Sequence, residues 1–147
     1  MNYLRKRHGD LQNFRKMTHE NENFQVTALK ALQEHQSGVN QLELYGPHMI
    51  SISDDCALKL WNAERLIVED ELQTETVTCF TISGPKKDIL FAACHSGNLQ
   101  VVSLQSFSKK ETVELAHTNL IRAIATLEGL KNEYFVAADV CGGIKVW

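Results

Sequence analysis

The sequence predicts an all-β fold of short antiparallel strands grouped in repeated four-strand units. From Phe24 onward, apolar and polar residues alternate in runs of about five to nine residues, the period-2 pattern of half-buried strands. Gly, Pro, Asp, Ser or Asn bounds each run, so turn signals recur at roughly 8–12 residues, as in antiparallel meanders. Similar segments also return along the chain. "SDDCALKLW", "CHSGNLQVVS" and "DVCGGIKVW" each place small or polar turn residues before an apolar–polar–apolar strand.

In chain order, residues 1–23 are polar and basic. Leu4, Leu11 and Phe14 are spaced loosely like a helix face that Gly9 interrupts, so this extension reads as weak helix or coil. Residues 25–32 read as a lone outer strand. The first unit, about residues 35–73, holds strands near 39–44, 49–53, 57–61 and 65–72. The second, about 76–115, holds strands near 77–82, 88–94, 99–104 and 110–115. The third, about 117–147, holds strands near 121–127, 134–138 and 144–147. "LIRAIATLEGL" also fits a helix, but its setting among strands favours a strand. The recurring segments end at Trp61, Val102 and Trp147, steps of 41 and 45 residues. A period of about 40–45 residues with four short strands suits a β-propeller blade.

Composition narrows the function classes. The 147 residues suit one domain, with 44% apolar and 22% charged residues, near globular averages. Net charge is −3, which gives no overall attraction to nucleic acid. Residues 1–19 nevertheless carry five basic residues (Arg5, Lys6, Arg7, Arg15, Lys16) against Asp10 alone, while the remainder has 10 basic and 17 acidic residues. Such a leader can touch phosphates or serve as a nuclear address; a solvated terminus is the plainer reading. Cys56, Cys79, Cys94 and Cys141 form no C-x-x-C pair and sit mostly in apolar runs, as buried thiols of a reducing compartment do. The basic start lacks an apolar run behind it, and no stretch approaches about 18 apolar residues. We therefore expect an intracellular protein, cytoplasmic or nuclear, with no membrane span.

The segment "EHQSGVNQLEL…MISISDDCALKLWN" resembles a WD repeat. The family pattern is a Gly-His, an inner strand, a second strand, an Asp at a tight turn, and a third strand ending Trp-Asp. His35 stands at the family His, with Glu34 in place of its Gly. Ser51, Asp55 and Trp61 fit the Ser/Thr, turn Asp and Trp, and Asn62 replaces the final Asp. The second unit departs further, with Ser96 at the Asp position and Val102 at the Trp position. The third keeps His117 and Trp147 but has Cys141 and Ala137 at the Asp and Ser positions. The resemblance covers residues 24–147. It implies an all-β partial propeller of about three four-stranded antiparallel blades, preceded by a polar extension.

His35, Ser51 and Asp55 can be read as a hydrolase triad. The resemblance implies a structural lock instead, in which the indole of Trp61, the Ser51 hydroxyl, the His35 ring and the Asp55 carboxylate satisfy one another inside the blade. No oxyanion-hole or nucleophile-elbow motif accompanies the three, which favours the lock and argues against an enzyme. Cys94, His95 and Cys141 lack paired zinc-ligand spacing, so we expect no metal and no cofactor. "SGPKKD" (83–88) has one Gly and reads as a hairpin turn rather than a phosphate loop. The paired glycines of "CGGIKVW" read as a turn with positive φ.

The resemblance further implies a protein-interaction scaffold whose narrower face displays Asn40, Asp54, Thr76, Thr78, His95, Leu120, Arg122 and Val140. Partners would be other proteins or peptides. A nucleic-acid-associated subunit using the basic leader is the alternative, weakened by the acidic body and the lack of aromatic–basic interleaving. Three blades fall short of the typical 4–8 of a closed ring. We expect a fragment of a larger propeller; the alternatives are docking beside a partner's blades, or two copies joined head to tail, each lending residues 25–32 to the other's final blade.

Overall fold

The computed structural model describes residues 30–83, 88–127 and 134–147. The chain divides into two compact units, Met1–Leu32 and Gln33–Trp147. The polar extension (1–23) lies outside the described residues, as does most of the expected outer strand 25–32; its residues 30–32 take no regular structure.

The second unit is all-β, and no helix occurs among the described residues. The described residues form eleven strands in order: β1 (Val39–Tyr45), β2 (His48–Ser53), β3 (Ala57–Asn62), β4 (Ile67–Gln73), β5 (Val77–Ser83), β6 (Ile89–Cys94), β7 (Leu99–Ser103), β8 (Ser108–Val113), β9 (Ile121–Leu127), β10 (Tyr134–Asp139) and β11 (Ile144–Val146). They form three antiparallel meanders: β1-β2-β3-β4, β5-β6-β7-β8 and β9-β10-β11. The third sheet has three strands among the described residues, matching the three segments expected near 121–127, 134–138 and 144–147. The outer strand β4 begins two residues later than the sequence suggests and β8 two residues earlier, and both are charged, as suits an edge that must not recruit another strand.

The sheets repeat one another closely. Ser51 pairs with Lys59 in the first and Ala137 with Lys145 in the third, so the β2–β3 and β10–β11 hairpins superimpose in register. Each tight turn closes alike: the amides of Cys56, Gly97 and Gly142 donate to the carbonyls of Ser53, Cys94 and Asp139. These three residues all take positive φ (62°, 88° and 88°). Glycine meets that demand freely, whereas Cys56 holds it with a side chain, at a cost of about 1–2 kcal/mol. Gly97 has a second reason to be glycine. A Cβ there would stand 2.2 Å from the His117 carbonyl oxygen, because the chain entering the third sheet crosses directly over it.

The sheets pack face on face. Ile50, Ile52 and Leu58 of the first meet Val77, Phe80, Ile82, Leu90 and Val102 of the second. Ala93 and Leu99 of the second meet Ile121, Ala137, Ile124 and Phe135 of the third. The central strands β2 and β6 are therefore buried on both faces; β6 is apolar on both, which explains the run "ILFAAC", whereas β2 turns Ile50 and Ile52 to one face and Ser51 and Ser53 to the other. Phe135 also stacks between Phe91 (4.3 Å) and Trp147 (6.0 Å).

Candidate functional site

Each inner strand carries a register shift at its first turnward residues: between Val39 and Gln41, between Val77 and Cys79, and opposite Ile121 at Ala138/Asp139. A bulge turns a side chain out of the alternation. The displaced residues are Asn40, Thr78 and Arg122. Asn40 donates to the Val77 carbonyl (3.0 Å) and to Asp54 Oδ1 (2.7 Å). The Thr78 hydroxyl lies 2.6 Å from the Ile121 carbonyl and 3.1 Å from that of Ala93. These two side chains, placed by the resemblance on a partner-binding face, thus tie their own sheet to the next. Gln41 adds a two-way amide clip, accepting from the Phe80 amide (2.8 Å) and donating to its carbonyl (3.0 Å). Nothing in the local pattern marked Gln41 for this.

At the same end of the first sheet, His35, Ser51, Asp55 and Trp61 meet. Trp61 Nε1 donates to Ser51 Oγ (2.8 Å), which lies 2.7 Å from His35 Nε2. His35 Nδ1 lies 2.9 Å from Asp55 Oδ2. An indole only donates and a carboxylate only accepts, so the protons run one way: indole to hydroxyl, hydroxyl to imidazole, imidazole to carboxylate. Asp55 also accepts from the amides of Gln36 (2.7 Å) and Ala57 (3.1 Å). Burial pushes its pKa up, but the Gln36 amide, the His35 ring, the Ala57 amide and the Ser53 hydroxyl together outweigh it and hold the carboxyl at about 2. Ser51 is 1% exposed, and its proton is already given to His35.

The third sheet solves the same problem with fewer parts, and corrects one expectation. The acid facing its histidine is Asp139, not a residue at the Cys141 position. Asp139 occupies the register position of Ser53, two residues before that of Asp55. From there its Oδ2 meets His117 Nδ1 at 2.9 Å, and its Oδ1 accepts from the amides of Cys141 and Gly143, both 2.9 Å. The imidazole, then the Gly143 amide, hold its carboxyl below the usual range. Gly143 lets the acid lie this close, since a Cβ there would be 2.5 Å from Asp139 Oδ2. Ala137 stands where Ser51 does, so no hydroxyl follows the ring. His117 Nε2 is buried and unpartnered among the described residues.

The second sheet has neither His nor Trp at these positions, and its carboxylate comes from the opposite partner. Glu75, on the segment entering β5, accepts from Ser96 Oγ (2.5 Å), Asn98 Nδ2 (3.1 Å) and Gln100 Nε2 (3.3 Å). The Ser96 hydroxyl is the largest influence holding its carboxyl low. Gln100 Oε1 is left buried without a partner among the described residues.

Of the other residues expected on a binding face, His95, Arg122 and Val140 are exposed, and Leu120 is half-buried. Thr76 is half-buried, with its hydroxyl 3.3 Å from Cys56 Sγ. The peptide groups of this rim repeat as well, the amides of Asp54, His95 and Val140 donating to the carbonyls of Gly38, Thr76 and Leu120. No group of three or more His, Cys, Asp or Glu placed to hold a metal occurs among the described residues. No described helix is long and apolar enough to cross a membrane.

No family model matches the chain, and no curated protein matches it.

Proposed function

We propose that the chain is a WD-type repeat scaffold that holds other proteins or peptides and performs no chemistry of its own. The observation that carries this reading is the one-way hydrogen-bond chain from Trp61 through Ser51 and His35 to Asp55. A triad used for acyl transfer needs a hydroxyl open to substrate, whereas this one is buried and accepts an indole proton. Four unpaired thiols support an intracellular, reducing setting.

The binding face proposed is the exposed rim of His95, Arg122 and Val140. Asn40 and Asp54 are poor residues for testing it, because Asn40 also ties two sheets together. The test uses His95→Glu with Val140→Glu. Proteins captured by the wild-type chain are expected to be retained at least tenfold less by the double variant, with an unchanged melting temperature. Equal retention would remove this face from the reading. Covalent labelling of Ser51 by a fluorophosphonate probe would replace the scaffold with a hydrolase; none is expected.

A further inference from the structure

The three sheets stack by one repeated rule, and the two outer faces of the stack are the unfilled halves of that rule. Val39, Leu42 and Leu44 of β1 stand at the positions of Val77, Phe80 and Ile82 in β5, by the shared register of the inner hairpins. In the second sheet those side chains are 1%, 2% and 7% exposed, packed on the first sheet. In the first sheet they are 54%, 53% and 68% exposed. The opposite face shows the reverse vacancy. Leu58, Leu99 and Ile144 share one register position in β3, β7 and β11. The first two are fully buried against the following sheet, whereas Ile144 is 70% exposed, with Val146 beside it at 62%.

The polar tie repeats too. Asn40 reaches the carbonyl of Val77, the first residue of the next inner strand, and Thr78 reaches that of Ile121. Arg122 follows Ile121 as Asn40 follows Val39, and it is exposed. Its counterpart acceptor, the Val39 carbonyl, opens the inner strand of the first sheet. One end of the stack therefore carries a donor and an apolar face, and the other carries the acceptor position and the apolar face that the internal interfaces match to it.

We propose that a second copy of this chain continues the stack head to tail: the Ile144/Val146 face of each copy packs on the Val39/Leu42/Leu44 face of the other, and Arg122 donates to the other copy's Val39 carbonyl. The interface is heterologous, so it either closes or grows without end. Two copies supply six sheets, within the roughly 4–8 at which radial stacks of sheets close, and the closed pair leaves neither face bare. The proposal rests on the internal interfaces and not on the scaffold reading.

The test is sedimentation or light scattering of the full chain from about 1 to 100 µM. The expected result is a mass of twice 16.6 kDa that saturates with concentration. Leu44→Glu disables one face and Ile144→Glu the other; each alone is expected to be monomeric at micromolar concentration. Both sites are exposed in the single chain, and far-UV circular dichroism checks that the fold persists. Mixed together, the two variants keep one good face each and are expected to form a heterodimer, which an isologous dimer could not do. Should either variant unfold, Arg122→Ala provides a milder probe, with the pair expected to dissociate about tenfold more readily. A wild-type mass that stays at one chain, a mass that climbs without limit, or no heterodimer on mixing would each overturn the proposal.

Discussion

Ser51 is the hinge of the hydrogen-bond chain, so its hydroxyl gives the sharpest test of what the chain is worth. Replacing Ser51 by Ala removes two bonds of 2.7 and 2.8 Å and leaves His35 Nε2 and Trp61 Nε1 without a partner in a buried site. Each orphaned group costs about 1–3 kcal/mol, so the predicted loss is roughly 2–6 kcal/mol. Trp61→Phe keeps most of the ring but deletes the donor, with an expected loss of about 1–2 kcal/mol. In the double variant no indole N–H remains to be orphaned. The two losses should therefore fall short of additivity by about 1–2 kcal/mol. Urea denaturation followed by circular dichroism reads all four corners of the cycle, since Trp61 is one of only two tryptophans and its removal alters the fluorescence itself. Additivity within about 0.5 kcal/mol, or a Ser51→Ala loss below about 1 kcal/mol, would refute the claim that indole and imidazole depend on one hydroxyl. Total stability of a domain is about 5–15 kcal/mol, so the larger predicted losses would leave part of the population unfolded at room temperature.

Four further outcomes are predicted. Asp55 titrates at about 2 in the folded chain against an ordinary 3.8, so its contribution to stability is complete above about pH 4 and is lost as the pH falls toward 2; acid titration of Asp55→Asn should lack that part of the decline. Gly97→Ala should destabilise by at least about 2 kcal/mol, because positive φ and the His117 carbonyl both oppose it, whereas Gly142→Ala, with nothing near its Cβ, should cost only about 1 kcal/mol; equal losses in thermal melts would discount the close approach. Ala137→Ser should give His117 Nε2 a partner and raise the denaturation midpoint by the equivalent of about 0.5–1.5 kcal/mol, and a lowered midpoint would mean the ring does not face that position. Cys94, whose pKa burial and then the charge of Glu75 push up to about 12, should resist thiol reagents near pH ~8 until the protein unfolds, while exposed Cys141 reacts at once.

Much of the fold was legible because strand alternation and turn chemistry are local. The expected inner strands near 39–44, 77–82 and 121–127 lie within one residue of β1, β5 and β9. The outer strands β4 and β8 were less legible: they are charged edges, and alternation is weak where neither face is fully buried. The His35, Ser51, Asp55 and Trp61 grouping could be read because all four residues stand at the spacing of the repeat pattern that the segment resembles. Asp139 escaped the same reading because the acid had moved two residues toward the start of the turn, so counting back from Trp147 met Cys141 instead. Glu75 escaped because the roles are exchanged, the acid entering with the inner strand and the neutral donors standing on the turn. The roles of Asn40 and Thr78 depend on a bulge that has no sequence signature, and without it both read as free rim residues.

The three sheets differ in residues but share one mechanical need. In each, the segment entering the inner strand is outside any ladder, and contacts with the turn between the second and third strands help to keep it from fraying. A carboxylate with several donors meets that need in every case: Asp55 with His35 and the Gln36 amide, Glu75 with Ser96, Asn98 and Gln100, Asp139 with His117 and the Gly143 amide. An ionised acceptor suits this place because hydrogen bonds to a charged group are stronger than those between neutral pairs. Only the first sheet carries the chain inward to the third strand without leaving a polar atom stranded. The second and third leave Gln100 Oε1 and His117 Nε2 without partners among the described residues. Those two buried atoms place the weaker fastening in the second and third sheets, and hydrogen exchange should open amides of β9 and β10 before those of β2 and β3. The reverse order would mean that packing of the Phe91, Phe135 and Trp147 rings, rather than polar fastening, sets the local stability of the third sheet.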